Sequence, residues 1–266
     1  MGSRNCERVL ASDPMHQKAA IAIPLLSLLV GCAHLPKPEG PPGPGHRDAL
    51  YLDAEAAPRL LVEIDRVEGT SPRPGALRTF LKKVERYLDK PGGIQLVVDD
   101  IIPASEWEES ERSIRKLARR YRSVTAQDPE HTAVLHVIYA PRLGKYRGFC
   151  WSRKNYDDVV APHDNALIVL LQGNIKPILW VTGVKQEASV LIHEMGHALG
   201  LSSNPAHSYK GHCTNAHCLM YNGVDARTFF LYFFPTLFTG YLPLDFCSDC
   251  RADLYPAHNG REPLKR

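Results

Sequence analysis

The 266-residue chain has no block of basic residues longer than a pair such as Arg119-Arg120, and its formal net charge is only +3. A nucleic-acid face needs denser positive charge, so no nucleic-acid partner is expected. No helical segment supplies the ~20 uninterrupted apolar residues needed to cross a bilayer, which argues against a polytopic membrane protein. No internal repeat is visible, which excludes a solenoid. Cysteine is sparse and uneven, with seven residues at 6, 32, 150, 213, 218, 247 and 250. An odd count at such spacing is not the framework of a small disulfide scaffold. Glutamate is absent between Glu194 and Glu262. What the chain does have, 44% hydrophobic and 23% charged residues over this length, suits one globular domain with a substantial core.

Residues 19–31 (AAIAIPLLSLLVG) carry no charge, follow His16 and Lys18, and end directly at Cys32. Thirteen residues are too few for a stable span but match the apolar core of an export signal. Leu29-Val30-Gly31-Cys32 resembles the bacterial lipoprotein signal, in which the cysteine is acylated and becomes the first residue of the mature protein. Two lipid chains on one residue give durable attachment where one is marginal. The resemblance implies lipid attachment at Cys32 and a membrane-anchored, exported lipoprotein. Ala33 rather than Asp after Cys32 favours the outer membrane. Cys6 would be discarded with the signal. Residues 32–47, rich in proline and glycine, read as a semi-extended tether, leaving a folded domain over 48–255 and a tail over 256–266.

From residue 48 strands and helices alternate. Leu60–Ile64, Ile94–Ile102, Thr132–Tyr139 and Ala166–Leu171 read as strands. Apolar residues at 77, 80, 81, 84 and 88 mark a helix over Ala76–Leu88. A charged helix is expected from Ser105 to Tyr121, with Glu108 and Glu109 in its first turn. A last helix runs from Gln186 to Leu199 and stops at Gly200. This order gives an α+β fold, an α/β-like layer on a mixed β-sheet. Regular pattern fades after Gly200. Cys150 reads as a core or strand thiol. The aromatic run Phe229–Leu244 holds too many prolines for a spanning helix and reads as an apolar wall of the C-terminal part.

Residues 193–197 are His-Glu-Met-Gly-His. On a helix, positions i and i+4 share a face, so both imidazoles reach one ion. Zinc accepts two such nitrogens plus a third ligand, leaving a fourth position for water. Glu194, beside the first histidine, is placed to take a proton from that water as the catalytic base. The absence of glutamate downstream removes the solution in which a later glutamate completes the site. A glycine turn followed by a third histidine remains, and Gly200 fits its start. The strict spacing puts that histidine at residue 203, which is Ser203. His207, His212 and His217 follow.

His212-Cys213, then Cys218-Leu219-Met220, then Cys247-Ser248-Asp249-Cys250 resembles the archaemetzincin family of zinc peptidases. That resemblance implies a metzincin-like zincin domain with an irregular C-terminal zinc subdomain. It implies a catalytic zinc on His193, His197 and His212; the longer loop before His212 leaves His207 as the alternative third ligand. It also implies a second, structural zinc on Cys213, Cys218, Cys247 and Cys250, hence two zinc ions per chain, and Met220 in a tight turn under the site. The chain departs from the family by nine extra residues before His212, a long aromatic stretch before Cys247, and the export signal. In an exported protein the same four cysteines have an alternative as disulfides.

The expected function is peptide-bond hydrolysis by a membrane-tethered zinc metallopeptidase acting on a peptide or protein substrate. Two other readings stand beside it: a catalytically inactive, zinc-stabilised binding lipoprotein, and a zinc amidase acting on a non-peptide or cell-wall amide.

Overall fold

The computed structural model describes residues 49–52, 54–55, 57–124, 126–152, 164–177, 181–201, 203–221 and 242–254. The expected export signal, Cys6, Cys32, the expected tether and tail, and all but the last three residues of the aromatic run lie outside the described residues.

Twelve named elements follow in order: α1 (Ala49–Leu52), β1 (Arg59–Val67), α2 (Pro74–Tyr87), β2 (Ile94–Ile102), α3 (Glu111–Tyr121), β3 (Thr132–Ala140), β4 (Gly148–Ser152), β5 (Asp164–Leu171), α4 (Gly183–Ala198), β6 (Ser208–Tyr209), β7 (His212–Cys213) and α5 (Ser248–Leu254). Strands β1 to β5 form one sheet in the order β2-β1-β3-β5-β4. β1 pairs in parallel with β2 and β3, and β3 with β5, while β4 runs antiparallel along the edge of β5. The expected α+β fold with a mixed sheet is what forms.

The sheet is covered on both faces, which is why β3 and β5 are largely apolar, whereas β1 carries Glu63, Asp65 and Arg66 among its apolar residues. Leu60, Val62 and Ile64 of β1 and Leu135, Val137 and Tyr139 of β3 point into one core with Phe80, Val84 and Tyr87 of α2 and Leu191, Ile192 and Met195 of α4. The alternate residues Val67, Ile138 and Ala140 meet Ile114, Leu117 and Ala118 of α3 in a second core. α2 can form this packing because its buried residues 76, 80, 84 and 87 recur every three or four positions. Each such large side chain removed from water contributes roughly 1.5–3 kcal/mol.

α3 begins later than the sequence pattern predicts. Ser110 is its N-cap and accepts a hydrogen bond from the Ser113 N–H, so the first helical residue is Glu111. Glu108 and Glu109 precede the cap. Only a short 3-10 turn, Ala104–Glu106, forms where the helix was expected to start. A serine that satisfies orphan N–H groups outweighs the charge pattern as a start signal.

The second face hides polar side chains. Glu63 and Asp65 of β1 and His136 of β3 are all buried. His136 Nε2 lies 2.8 Å from Asp65 Oδ2, and Glu63 accepts the N–H groups of Ser123 and Val124 and pairs with Arg122 at 3.0 Å. Burial pushes the Glu63 carboxyl up, against those two N–H donors and Arg122. The network ties the 122–124 loop to the sheet. A second buried carboxylate, Glu187 of α4, binds Arg73, Tyr139 and Gln172 and fixes the start of α4 against the ends of the strands.

Candidate metal centre

α4 starts at Thr182, whose side chain accepts the Lys185 N–H, and ends just after the second histidine of the His-Glu-Met-Gly-His segment. The ending follows from Gly200. It adopts a positive φ of 76°, its N–H bonds the His197 carbonyl, and Leu201 N–H bonds the Gly196 carbonyl. This is a Schellman closure, which favours glycine at that position. The chain therefore turns off the helix one residue after His197 has completed the final turn.

His193 and His197 lie one turn apart, with their Nε2 atoms 3.1 Å from each other. His212 joins them, its ring centroid 5.3 Å from that of His193 and 5.0 Å from that of His197. One donor atom from each of the three lies within 4.8 Å of the others. Nitrogens ~2.0–2.1 Å from a tetrahedral ion would stand about 3.3–3.4 Å apart, so the Nε2 pair has close to the required separation. His193 Nδ1–H donates to the Leu219 carbonyl at 2.7 Å, and His212 Nδ1 sits 3.2 Å from the Lys210 carbonyl. Holding Nδ1 on a carbonyl turns the Nε2 lone pair toward the common point.

His212 arrives there on a hairpin that sequence reasoning did not see. β6 and β7 pair Ser208 with Cys213 and Tyr209 with His212, leaving Lys210-Gly211 as a two-residue loop. Both loop residues have positive φ, 48° and 80°, as a type I′ turn requires. Gly211 was the available signal, obscured because lysine rather than asparagine precedes it. The nine residues 203–211 thus carry His212 back to the helix.

Glu194 is fully buried. Its carboxylate lies against Gly148 of β4, where a Cβ would come within 3.2 Å of Glu194 Oε1 and closer still to Val190. Gly148 therefore lets the edge strand approach the helix at the level of this carboxylate. Met220 is also fully buried, and its sulfur and Phe246 occupy the space that a side chain at Gly196 would need. The methionine stands under the middle of the His-Glu-Met-Gly-His segment, packed into the notch left by its glycine.

His207 goes elsewhere. Its Nε2 lies 2.8 Å from Asp253 Oδ2, and its Nδ1 is 3.9 Å from Cys213 Sγ and 4.0 Å from Cys250 Sγ. It borders the cysteines rather than the histidine group. Cys213, Cys218, Cys247 and Cys250 are free thiols gathered with all four sulfurs within 4.8 Å. Cys213 and Cys247 sulfurs are 3.7 Å apart, and those of Cys218 and Cys250 are 3.6 Å apart. Bonded sulfurs would be ~2.05 Å apart, whereas sulfurs ~2.3 Å from a tetrahedral ion stand about 3.8 Å apart.

The polar surroundings suit thiolates. Asn215 N–H points at Cys213 Sγ and Cys247 N–H at Cys218 Sγ. Hydrogen bonding from Cys250, helped by the Cys247 N–H, brings the Cys218 thiol down to about 6. Burial pushes Cys213 up to about 12, and the bond to Cys218 pushes Cys250 up as well. A buried group of this kind resists holding several negative charges by itself, and a dication supplies the compensation. Both donor sets therefore fit a metal: three imidazole nitrogens in one group and four sulfurs in the other. Cys150 lies apart from both groups, as a strand residue in β4.

No protein-family model matches the chain, and no curated protein matches it by sequence. Among solved structures, the crystal structure of metalloproteinase-II from Bacteroides fragilis aligns with 73% of this chain at 14% identity, with a TM-score of 0.37. The alignment spans 55% of that protein's own chain. Overlap of that degree assigns neither a family nor a chemistry.

Proposed function

We propose that this protein is a zinc-dependent metallopeptidase of archaemetzincin type, with its folded domain over residues 48–255 tethered to a membrane through acylated Cys32. The observation that carries the reading is the convergence of His193, His197 and His212 on one point, beside a buried glutamate on the same helix. Bound there, zinc supplies a Lewis acid for the scissile carbonyl and brings a water's pKa toward ~7. The chain supplies the rest. His193, His197 and His212 would hold the ion, each through one ring nitrogen. Glu194 takes the proton of the attacking water on its carboxylate and returns it to the leaving amine. Met220 and Gly196 keep the helix turn that spaces the two histidines. The four cysteines would hold a second zinc with a structural role, which would give two ions per chain.

The proposed specificity is for a peptide or protein. A catalytically disabled binder is the poorer reading, because the inserted residues deliver His212 to the other two histidines rather than displacing it. The test is to remove metal from the purified protein with a chelator and restore it with zinc, assaying a peptide panel alongside peptidoglycan fragments. Zinc-restored cleavage of peptides supports the reading. Cleavage confined to cell-wall amides, or no turnover with both sites loaded, overturns it. For the tether, labelled palmitate should enter the full chain and fail to enter a Cys32→Ser variant. Equal labelling of both would refute attachment at Cys32.

A further inference from the structure

The two candidate metal sites are not independent neighbours. His212 and Cys213 are consecutive residues of β7, one facing each site. Leu219, whose carbonyl fixes His193, lies between Cys218 and Met220, and Met220 fills the notch at Gly196. Cys213 N–H bonds the Met220 carbonyl at 2.9 Å, closing the 213–220 segment on itself. His212, Leu219 and Met220, which make these contacts with the histidine site, thus directly flank Cys213 and Cys218.

The inserted loop is fastened from the same side. Asp253 of α5 accepts Asn204 Nδ2–H at 2.7 Å through one oxygen and His207 Nε2–H at 2.8 Å through the other. The His207 carbonyl in turn accepts Thr214 N–H at 2.9 Å. α5 also carries Cys250, so the helix that closes the sulfur group anchors the loop leading to His212. His193 and His197 sit on α4, which has further anchors in the main core and in the Arg73–Glu187 contact at its start.

We infer that the cysteine site governs the histidine site: a metal on the four sulfurs sets His212 and the Leu219 carbonyl in place, and the histidine site binds metal well only afterwards. Asp253 and His207 are the positioning residues of this coupling. The inference rests on the proposed reading of both groups as metal sites. It assigns the second metal a regulatory role over the first, so loss or replacement of the sulfur-bound ion would switch the histidine site off without touching its ligands. Coupling between sites is reciprocal in free energy, but a closed site of four thiolates fills first.

The test uses cobalt(II) added stepwise to the metal-free full chain, followed by absorption. Thiolate-to-cobalt charge transfer reports the cysteine site, and ligand-field bands with nitrogen donors report the histidine site. In the unsubstituted protein the charge-transfer band should saturate before the second set appears. If no charge-transfer band forms, the metal reading of the cysteines itself fails. Cys218→Ser should weaken cobalt at the three histidines by at least tenfold, while His193→Ala should leave the charge-transfer band intact. Should Cys218→Ser fail to fold, Asp253→Ala carries the test. The Asp253 carboxylate bonds Asn204 and His207 rather than a ligand, and its loss should still weaken binding at the histidine site by roughly tenfold or more, the lower end of what loss of a supporting hydrogen bond costs. With the charge-transfer band present, an unchanged histidine-site affinity in the variant tested overturns the coupling.

Discussion

His193 donates its Nδ1–H to the backbone carbonyl of Leu219 across 2.7 Å, joining the middle of α4 to the turn that contains Met220. A main-chain acceptor serves here, so no side-chain substitution at 219 removes it directly. What keeps the carbonyl in range is the packing under the helix, where Met220 and Phe246 meet Gly196, and the bond from Leu219 N–H to the Asp245 carbonyl at 3.0 Å. Asp245 is itself held by Lys83 and Tyr87 of α2, each at 2.5 Å. α2 thereby supports His193 through Asp245 and Leu219.

Gly196→Ala tests that packing. Alanine is the better helix former by ~1 kcal/mol, but its methyl would overlap the Met220 sulfur and crowd Phe246. Overpacking of a closed core costs about 1–3 kcal/mol, so strain outweighs propensity. The variant should unfold at a lower temperature and bind zinc at the histidine site more weakly. A Tm equal to or above that of the parent would show that Met220 can move aside.

Gly211→Val tests the hairpin that delivers His212. Residue 211 has φ of +80°, a conformation that costs an L residue ~1–2 kcal/mol and a β-branched one more. Zinc stoichiometry by mass spectrometry should fall toward loss of the histidine-bound ion, while Lys210→Asn should retain it. Full occupancy in Gly211→Val would mean that another residue supplies the third nitrogen.

The cysteine group predicts a pH dependence in the metal-free protein. Cys218 is depressed to about 6 against an ordinary value of 9.0, so its contribution is fully present above the unfolded pKa and is lost as pH falls through 6. Cys213 is raised to about 12 by burial, so its contribution is present below 9 and is lost as pH rises toward 12. Urea midpoints should therefore rise from pH 6 to pH 9 and fall beyond it, and Cys218→Ser should flatten the lower limb. A midpoint that stays level across the lower limb in the parent would contradict the thiolate at Cys218.

Much of this site was readable from residue order. Two histidines four apart ahead of a glycine specify a helix face and its end, because helical spacing and the positive φ at Gly200 are local rules. The strands could be read because parallel strands buried on both faces are nearly all apolar. Other features depend on contacts made across the fold. Gly148 looks like any strand glycine until β4 is laid against α4, and Asp245 and Asp253 look like solvated surface acids. His207 and His212 offer the same side chain, and only the hairpin turn decides which of them reaches α4. α3 starts at Glu111 rather than near Ser105 because the Ser110 side chain accepts the Ser113 N–H, a cap that the acidic pair Glu108-Glu109 does not provide.

The most direct measurement compares the zinc-loaded parent with Glu194→Gln, recording peptide cleavage and bound zinc on the same samples. Glu194 is fully buried beside the first histidine and, on the proposed reading, moves the proton without holding the ion. The variant should keep its fold and both zinc ions while kcat falls by roughly 10²–10⁴-fold, the range a positioned acid–base group supplies. Turnover at the parent rate with zinc retained would contradict the account.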